Sequence, residues 1–252
     1  MQLDAQTLIG PAVVGLYLKD CFLFLGRDEG VLIRDWRGRW RAGFGALDWR
    51  LSGREPWLGN PFKPWEPVLR LRWDAADAPA GTPATPAAAA PPQEVRVAPW
   101  VCAIWLLLFV ALPTAWYGHW GLQAVLLVLA ELYALILVSL VLVWRRRAEL
   151  GLSGAQFGVL AFEVLACAPY AANLVRRLSL HRPAGEDLLT AARRRVDAPA
   201  LARMNAQCLA RIDDELDWIA EDSPRAKALR AARPRFEAAP DPHATEVEDE
   251  QR

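Results

Sequence analysis

From Trp100 to Trp144 the chain has no Lys or Arg, and Glu131 is its only acidic residue. Chemistry-bearing motifs are equally scarce. The four cysteines, Cys21, Cys102, Cys167 and Cys208, lie far apart, with no CxxC pair and no Cys/His cluster, which argues against a disulfide framework or a zinc site and suits thiols facing reducing cytosol or lipid. His119, His181 and His243 are scattered without metal-ligand spacing. No glycine-rich phosphate loop is present, and Ser153, between Leu152 and Gly154, lacks the flanking glycines of a nucleophile elbow. Neither an enzyme nor a cofactor or metal is therefore expected. With a formal net charge of +0 and 23% charged residues, nothing in the balance calls for a nucleic-acid partner. Lysine is confined to Lys19, Lys63 and Lys227 beside abundant Arg and Ala, a composition that points to a GC-rich bacterial genome.

What is present is a pair of long apolar stretches. Residues 100–118 read WVCAIWLLLFVALPTAWYG and residues 121–144 read GLQAVLLVLAELYALILVSLVLVW. At a rise of about 1.5 Å per residue, either is long enough for a hydrocarbon layer of roughly 30 Å. Trp100, Trp116, Tyr117, Trp120 and Trp144 mark the ends, where amphipathic rings favour the headgroup layer, and Pro113 bends the first span without removing it. Only Gly118–Gly121 separate the two, so they form an antiparallel hairpin. That turn carries no Lys or Arg, whereas Arg70, Arg72 and Arg96 precede the hairpin and Arg145, Arg146 and Arg147 follow it. The positive-inside rule then puts the turn outside and both flanks in the cytosol.

A third apolar stretch, Gly154 to Val175, contains Glu163 and Pro169 and runs into Arg176, Arg177 and Arg182. A full crossing would carry those arginines outside, so a re-entrant or interfacial helix is preferred over a third span. The first apolar run, Leu8 to Leu18, stops at Lys19 and Asp20; its length suits a core helix or an interfacial segment better than a span, and no basic region precedes it as in a signal peptide.

Alternation of apolar and polar residues at 39–44, 47–51 and 69–73, with Phe22–Leu25 and Val31–Trp36, predicts a small antiparallel meander of about five strands, with the Pro-rich run 55–67 as an irregular loop. One face would carry Trp40, Trp49 and Trp73 and the other Arg39, Arg41, Arg50, Arg70 and Arg72. Those arginines form either a solvated face over a tryptophan-rich core or a plate lying on anionic headgroups, each worth roughly 1 kcal/mol of attraction. Residues 74–94, low in complexity and without aromatics, read as a flexible linker. Beyond His181, Leu201, Met204, Cys208, Ile212, Leu216 and Ile219 recur at helical spacing after Asp197 and Pro199, with Arg203, Arg211, Asp213 and Asp217 off that stripe; a shorter helix covers 186–196, and Ser223-Pro224 caps another. The tail after Phe236 is acidic.

The expected layout is thus an α+β membrane protein: an N-terminal helix and β-rich module (1–74), a linker (75–98), a hairpin of two spans, with a third left open (99–147), the third apolar segment (148–182), amphipathic helices (183–236) and a disordered tail (237–252). Glu131 and Glu163 are the sharpest candidates for function, because an ionised carboxylate at bilayer depth costs about 2.5 to 3.5 kcal/mol and is kept neutral, paired or beside a polar path. For Glu131 the functional expectation is a proton or solute path or a polar contact between protomers, and the plain alternative is a protonated carboxyl bonded to a neighbouring helix, for instance at Thr114. Membrane lipids, and a protein partner or a homo-oligomer, are the expected partners. A non-enzymatic anchor or assembly factor of a bacterial inner membrane is the leading expectation, with a small oligomeric transporter or channel subunit built on Glu131 and Glu163 as the alternative.

Overall fold

The computed structural model describes residues 5–35, 37–46, 51, 53–73, 96–118, 120–181 and 187–237. The fold is α+β, and it separates into two compact units, each built from three stretches of chain. The first comprises Met1–Phe24, Pro56–Leu69 and Pro86–Pro183; the second comprises Leu25–Glu55, Arg70–Thr85 and Ala184–Arg252.

In the first unit the dominant elements are α1 (Ala5–Cys21), α2 (Ala98–Leu106), a π-helical turn (Leu107–Ala111), α3 (Leu112–Tyr117) and α4 (Leu122–Arg145). Helix α2, the π turn and α3 form one continuous 20-residue rod, Ala98–Tyr117, which α4 matches with 24 residues; both are long and apolar enough to cross a membrane. The π turn has a local cause. Pro113 has no N–H to give the carbonyl four residues back, and the widened turn lets the Leu112 N–H reach the Leu107 carbonyl instead, while the Thr114 hydroxyl donates to the Val110 carbonyl at 2.6 Å. Gly121 closes the turn between rods at φ +88°, a conformation that costs a residue with a Cβ. The two rods pack through Val101, Ile104 and Leu108 on one and Leu132, Ile136, Leu140 and Val143 on the other.

The stretch 154–175 is not one helix. Helix α5 (Gly154–Ala166), capped by Ser153 and Gln156 in a reciprocal box, breaks at Cys167, whose extended backbone precedes Pro169; α6 (Ala168–Ala171) and α7 (Leu174–Leu180) follow. At 13 residues α5 spans about 20 Å, short of the roughly 30 Å hydrocarbon layer. Helix α1 lies along the first rod. Its Tyr17 ring sits 4.7 Å from Phe109, and a Cβ on Gly10 would lie 3.4 Å from the Tyr117 hydroxyl, so the two run antiparallel and the start of α1 stands beside the turn between the rods.

The strands are β1 (Phe22–Leu25), β2 (Glu29–Arg34), β3 (Trp40–Gly43), β4 (Glu55–Leu58) and β5 (Val68–Arg72). They do not join in one meander. Strand β1 pairs with β4, and a separate three-stranded sheet has the order β3-β2-β5, with β2 and β3 antiparallel in the register Val31↔Gly43 to Arg34↔Trp40. The Pro-rich run contributes β4, because Pro56 occupies a strand in a two-stranded sheet, where an absent N–H leaves no central ladder broken. The expected strand at 47–51 falls largely outside the described residues; Leu51 forms a single bridge with Arg54.

The second unit is completed by α8 (Leu188–Arg195), α9 (Ala198–Leu216), α10 (Pro224–Ala232) and α11 (Pro234–Glu237). Asp197 and Ser223 cap their helices through their side chains, as expected, and Asp187 does the same for α8. Leu201, Met204, Cys208 and Ile212 are buried on α9, and Trp73 meets Phe236 edge to face at 5.7 Å.

Candidate functional site

The hairpin displays most of its apolar surface outward. Of the most apolar 18 residues in each rod, only 22% of the first and 28% of the second are buried, far less than in a core helix of a soluble protein. On α4, Leu122, Leu126, Leu127, Leu137, Val138 and Val141 are exposed, as are Val159 and Phe162 on α5. Trp116, Tyr117 and Trp120 ring the turn, and at the other end Trp144 packs against the tilted ring of Phe157 at 4.9 Å and carries the Arg147 guanidinium 3.9 Å from its ring centroid.

Glu131 lies on this outward face of α4, exposed, and has no hydrogen-bond or ion-pair partner among the described residues. Thr114, the expected neighbour, spends its hydroxyl proton on its own helix. Glu163 is different: its carboxylate accepts from the Arg177 guanidinium, which also grips Asp20 by Nε at 3.0 Å and Nη2 at 2.7 Å. Burial works against the charge of Arg177, but Asp20 and then Glu163 outweigh it and hold the guanidinium above its ordinary pKa. The two carboxylates expected to act alike are thus in opposite situations.

Beside that triad the Arg176 side chain is 1% exposed. Its Nη1 donates to Asn173 Oδ1 and its Nη2 to the Asn60 carbonyl, both at 3.1 Å, while Gly59 packs so closely on the guanidinium that a Cβ there would lie 2.8 Å from Cζ. Asn173 also donates to the Tyr17 carbonyl and the Cys21 sulfur, each at 3.4 Å. Together with the Arg177–Asp20 pair these polar groups form a knot that joins the C-terminal end of α1 to α7, its N-cap Asn173 and the 59–61 loop, through hydrogen bonds that span up to 157 residues of sequence. Spacing within the chain carries no signal of such a knot.

In the second unit the arginines expected on one sheet face are interleaved with carboxylates. Arg39 and Arg41 meet Asp35 at 3.2 and 3.8 Å, Arg70 donates to Glu29 at 3.0 Å, and Arg72 lies 3.9 Å from Asp28 and 3.8 Å from Glu29. The face is a lattice of paired charges, in which Arg50 lies outside the described residues. Burial raises the Glu29 carboxyl, yet the hydrogen bonds from Arg70 and the Gly26 N–H and the charges of Arg70 and Arg72 bring it below its ordinary value. Asp35 is likewise held low, burial being outweighed by the Arg39 N–H and guanidinium and the Arg37 N–H. Deeper in this unit, Arg211 donates to Glu55 at 2.7 Å with both side chains buried (4% and 1% exposed), and also to the Gly45 carbonyl at 2.6 Å. Sequence periodicity sets Arg211 off the buried stripe of α9; the structure buries it because Glu55 waits there.

No group of three or more His, Cys, Asp or Glu side chains is placed to hold a metal ion among the described residues. Cys208 is buried, which pushes its thiol up to about 12, with Arg211 pulling it down and Asp187 adding to the rise. A thiol held protonated is a poor nucleophile. The arrangement offers apolar surface and paired charge. No family model, no curated protein and no solved structure matches the chain.

Proposed function

We propose that this chain is an integral protein of a bacterial inner membrane, anchored by the Ala98–Arg145 hairpin, and that it serves as a non-enzymatic anchor or assembly factor. The observation that carries this reading is the outward apolar surface of the hairpin. Leu122 and Leu127, 71% and 69% exposed, gain about 1 to 2 kcal/mol each when lipid replaces water. Charge supports one orientation: Arg145, Arg146 and Arg147 adjoin the end of α4 and Lys19 the end of α1, while the turn has no Lys or Arg, which favours the turn outside. The Trp144–Arg147 stack suits the headgroup layer.

Two elements extend this reading. Phe157 near the start of α5 touches Trp144, and Glu163 near its end is tied through Arg177 to the last turn of α1, which favours α5 lying across the inner face of the bilayer. Because α1 runs beside the first rod up to Tyr117, it fits as a further embedded helix with its start on the turn's side, leaving the β-rich module after Cys21 cytosolic. The paired charges of the sheet and the helices of the second unit are then the surfaces offered to a partner.

Carbonate extraction tests the anchor: the protein stays in the membrane pellet, and its release in soluble form without detergent sinks the proposal. Affinity capture from detergent tests the assembly role, which predicts that the same second protein is recovered each time; recovery of this chain alone argues against it. A second reading, an oligomeric transporter or channel subunit, draws its support from Glu131, since Glu163 is engaged by Arg177. Proton or solute flux in liposomes that vanishes in Glu131→Gln would favour it over the anchor.

A further inference from the structure

We propose that the outward face of α4 centred on Glu131 binds a second copy of this chain, side by side and in the same orientation, with the two Glu131 carboxyls hydrogen-bonded to each other. The proposal rests on the membrane reading above. Glu131 lies roughly 14 Å along the helix from Leu122 and roughly 21 Å from Arg145, well inside a hydrocarbon layer. Its carboxyl has no partner among the described residues, and lipid supplies none.

Two features make the occupant another copy. Every copy inserted by the same topology places Glu131 at the same depth, so an identical chain brings a carboxyl to the required level without further adjustment. A protonated carboxyl is both donor and acceptor, so two related by a twofold axis satisfy one another, as an isologous contact requires. The surface around Glu131 has the matching shape. Ala130 and Ala134 flank it, both exposed and small enough for close backbone approach, and Leu127, Ala134 and Val141 recur every seventh residue with Glu131 and Val138 between them. That spacing is the seam of a packed helix pair, and the shared topology makes the pair parallel.

The test uses the full chain in liposomes, with dimer fraction read by single-molecule photobleaching over a range of protein-to-lipid ratios. Wild type dimerises; Glu131→Gln, which keeps a donor and an acceptor, associates within about threefold of it; Glu131→Leu, which should insert at least as well, weakens association about tenfold. Ala134→Phe, which blocks close approach and leaves the carboxyl intact, weakens it similarly. A wild type that is monomeric at every ratio overturns the proposal, as does a Glu131→Leu variant that associates like wild type. Carbonate resistance is measured on the same samples: if the chains stay embedded while association is absent, the dimer fails and the membrane reading survives, whereas carbonate release removes both.

Discussion

At the residue scale the Glu55–Arg211 pair shows most directly how this chain folds. Two charges taken out of water are tolerated because they meet each other at 2.7 Å, with the Gly45 carbonyl beside them and Phe44 4.7 Å from the guanidinium. Gly45 is required here, since a Cβ would lie 2.3 Å from the Glu55 Cβ. Removing one partner strands the other. Glu55→Gln should destabilise the second unit by about 3 to 5 kcal/mol, while Glu55→Leu with Arg211→Met restores most of it. Hydrogen exchange of the α9 amides is the measurement; equal protection in Glu55→Gln and wild type would show the pair to be inert. Cys208, one turn earlier, gives a second check. Unfolded, its thiol ionises near 9.0; folded, only at about 12. A raised value in the folded state means that this stabilisation is complete below about 9 and is lost as pH climbs towards 12. Maleimide at pH 8 should therefore leave Cys208 unlabelled until denaturant is added, and rapid labelling of the folded protein would contradict its burial. The burial of Cys208 follows from its place on the apolar stripe, whereas Arg211 does not announce its role in sequence, because it depends on Glu55 brought from elsewhere in the chain.

Elements were legible in proportion to how local their causes are. The two rods, their tight turn and the side-chain caps at Asp197 and Ser223 follow from runs of apolar residues and from single hydroxyl or carboxylate groups acting within four residues. Strand partners were not legible, since alternation marks a strand without naming its neighbour, and β4 was hidden among prolines. The three-stranded sheet carries its own test. Glu29 and Asp35 have depressed pKa values in the folded state, so their contribution is present above about 4 to 4.5 and is lost as pH falls through the lower folded values. Asp187 is shifted the opposite way, raised by burial against the pull of Arg235, which is why the readout belongs on the sheet. Backbone amides of β2 and β3 should exchange faster at pH 3 than at pH 6 once intrinsic rates are divided out; unchanged protection would mean that the arginine pairs add nothing.

For the whole molecule, the proposed placement in a bilayer is the property on which the rest depends. If α1 is embedded with its start beside Tyr117, a cysteine replacing Ile9, exposed near that start, should react in an otherwise cysteine-free variant with an impermeant maleimide from the same side as one replacing Gly121. A cysteine at Ala232 should react only after permeabilisation. Labelling of Ile9→Cys from the Ala232 side would return α1 to the interfacial role its length suggests. Sequence by itself determined the two apolar rods and the polarity of their flanks, because hydrophobic length and the count of nearby arginines are properties of contiguous residues. Tertiary structure decided that α1 lies along the first rod, that Glu163 is paired while Glu131 has no partner among the described residues, and that the sheet's arginines face carboxylates. Those outcomes are set by which distant groups meet, and the free energy of a charge depends on its partners far more than on its neighbours in the chain.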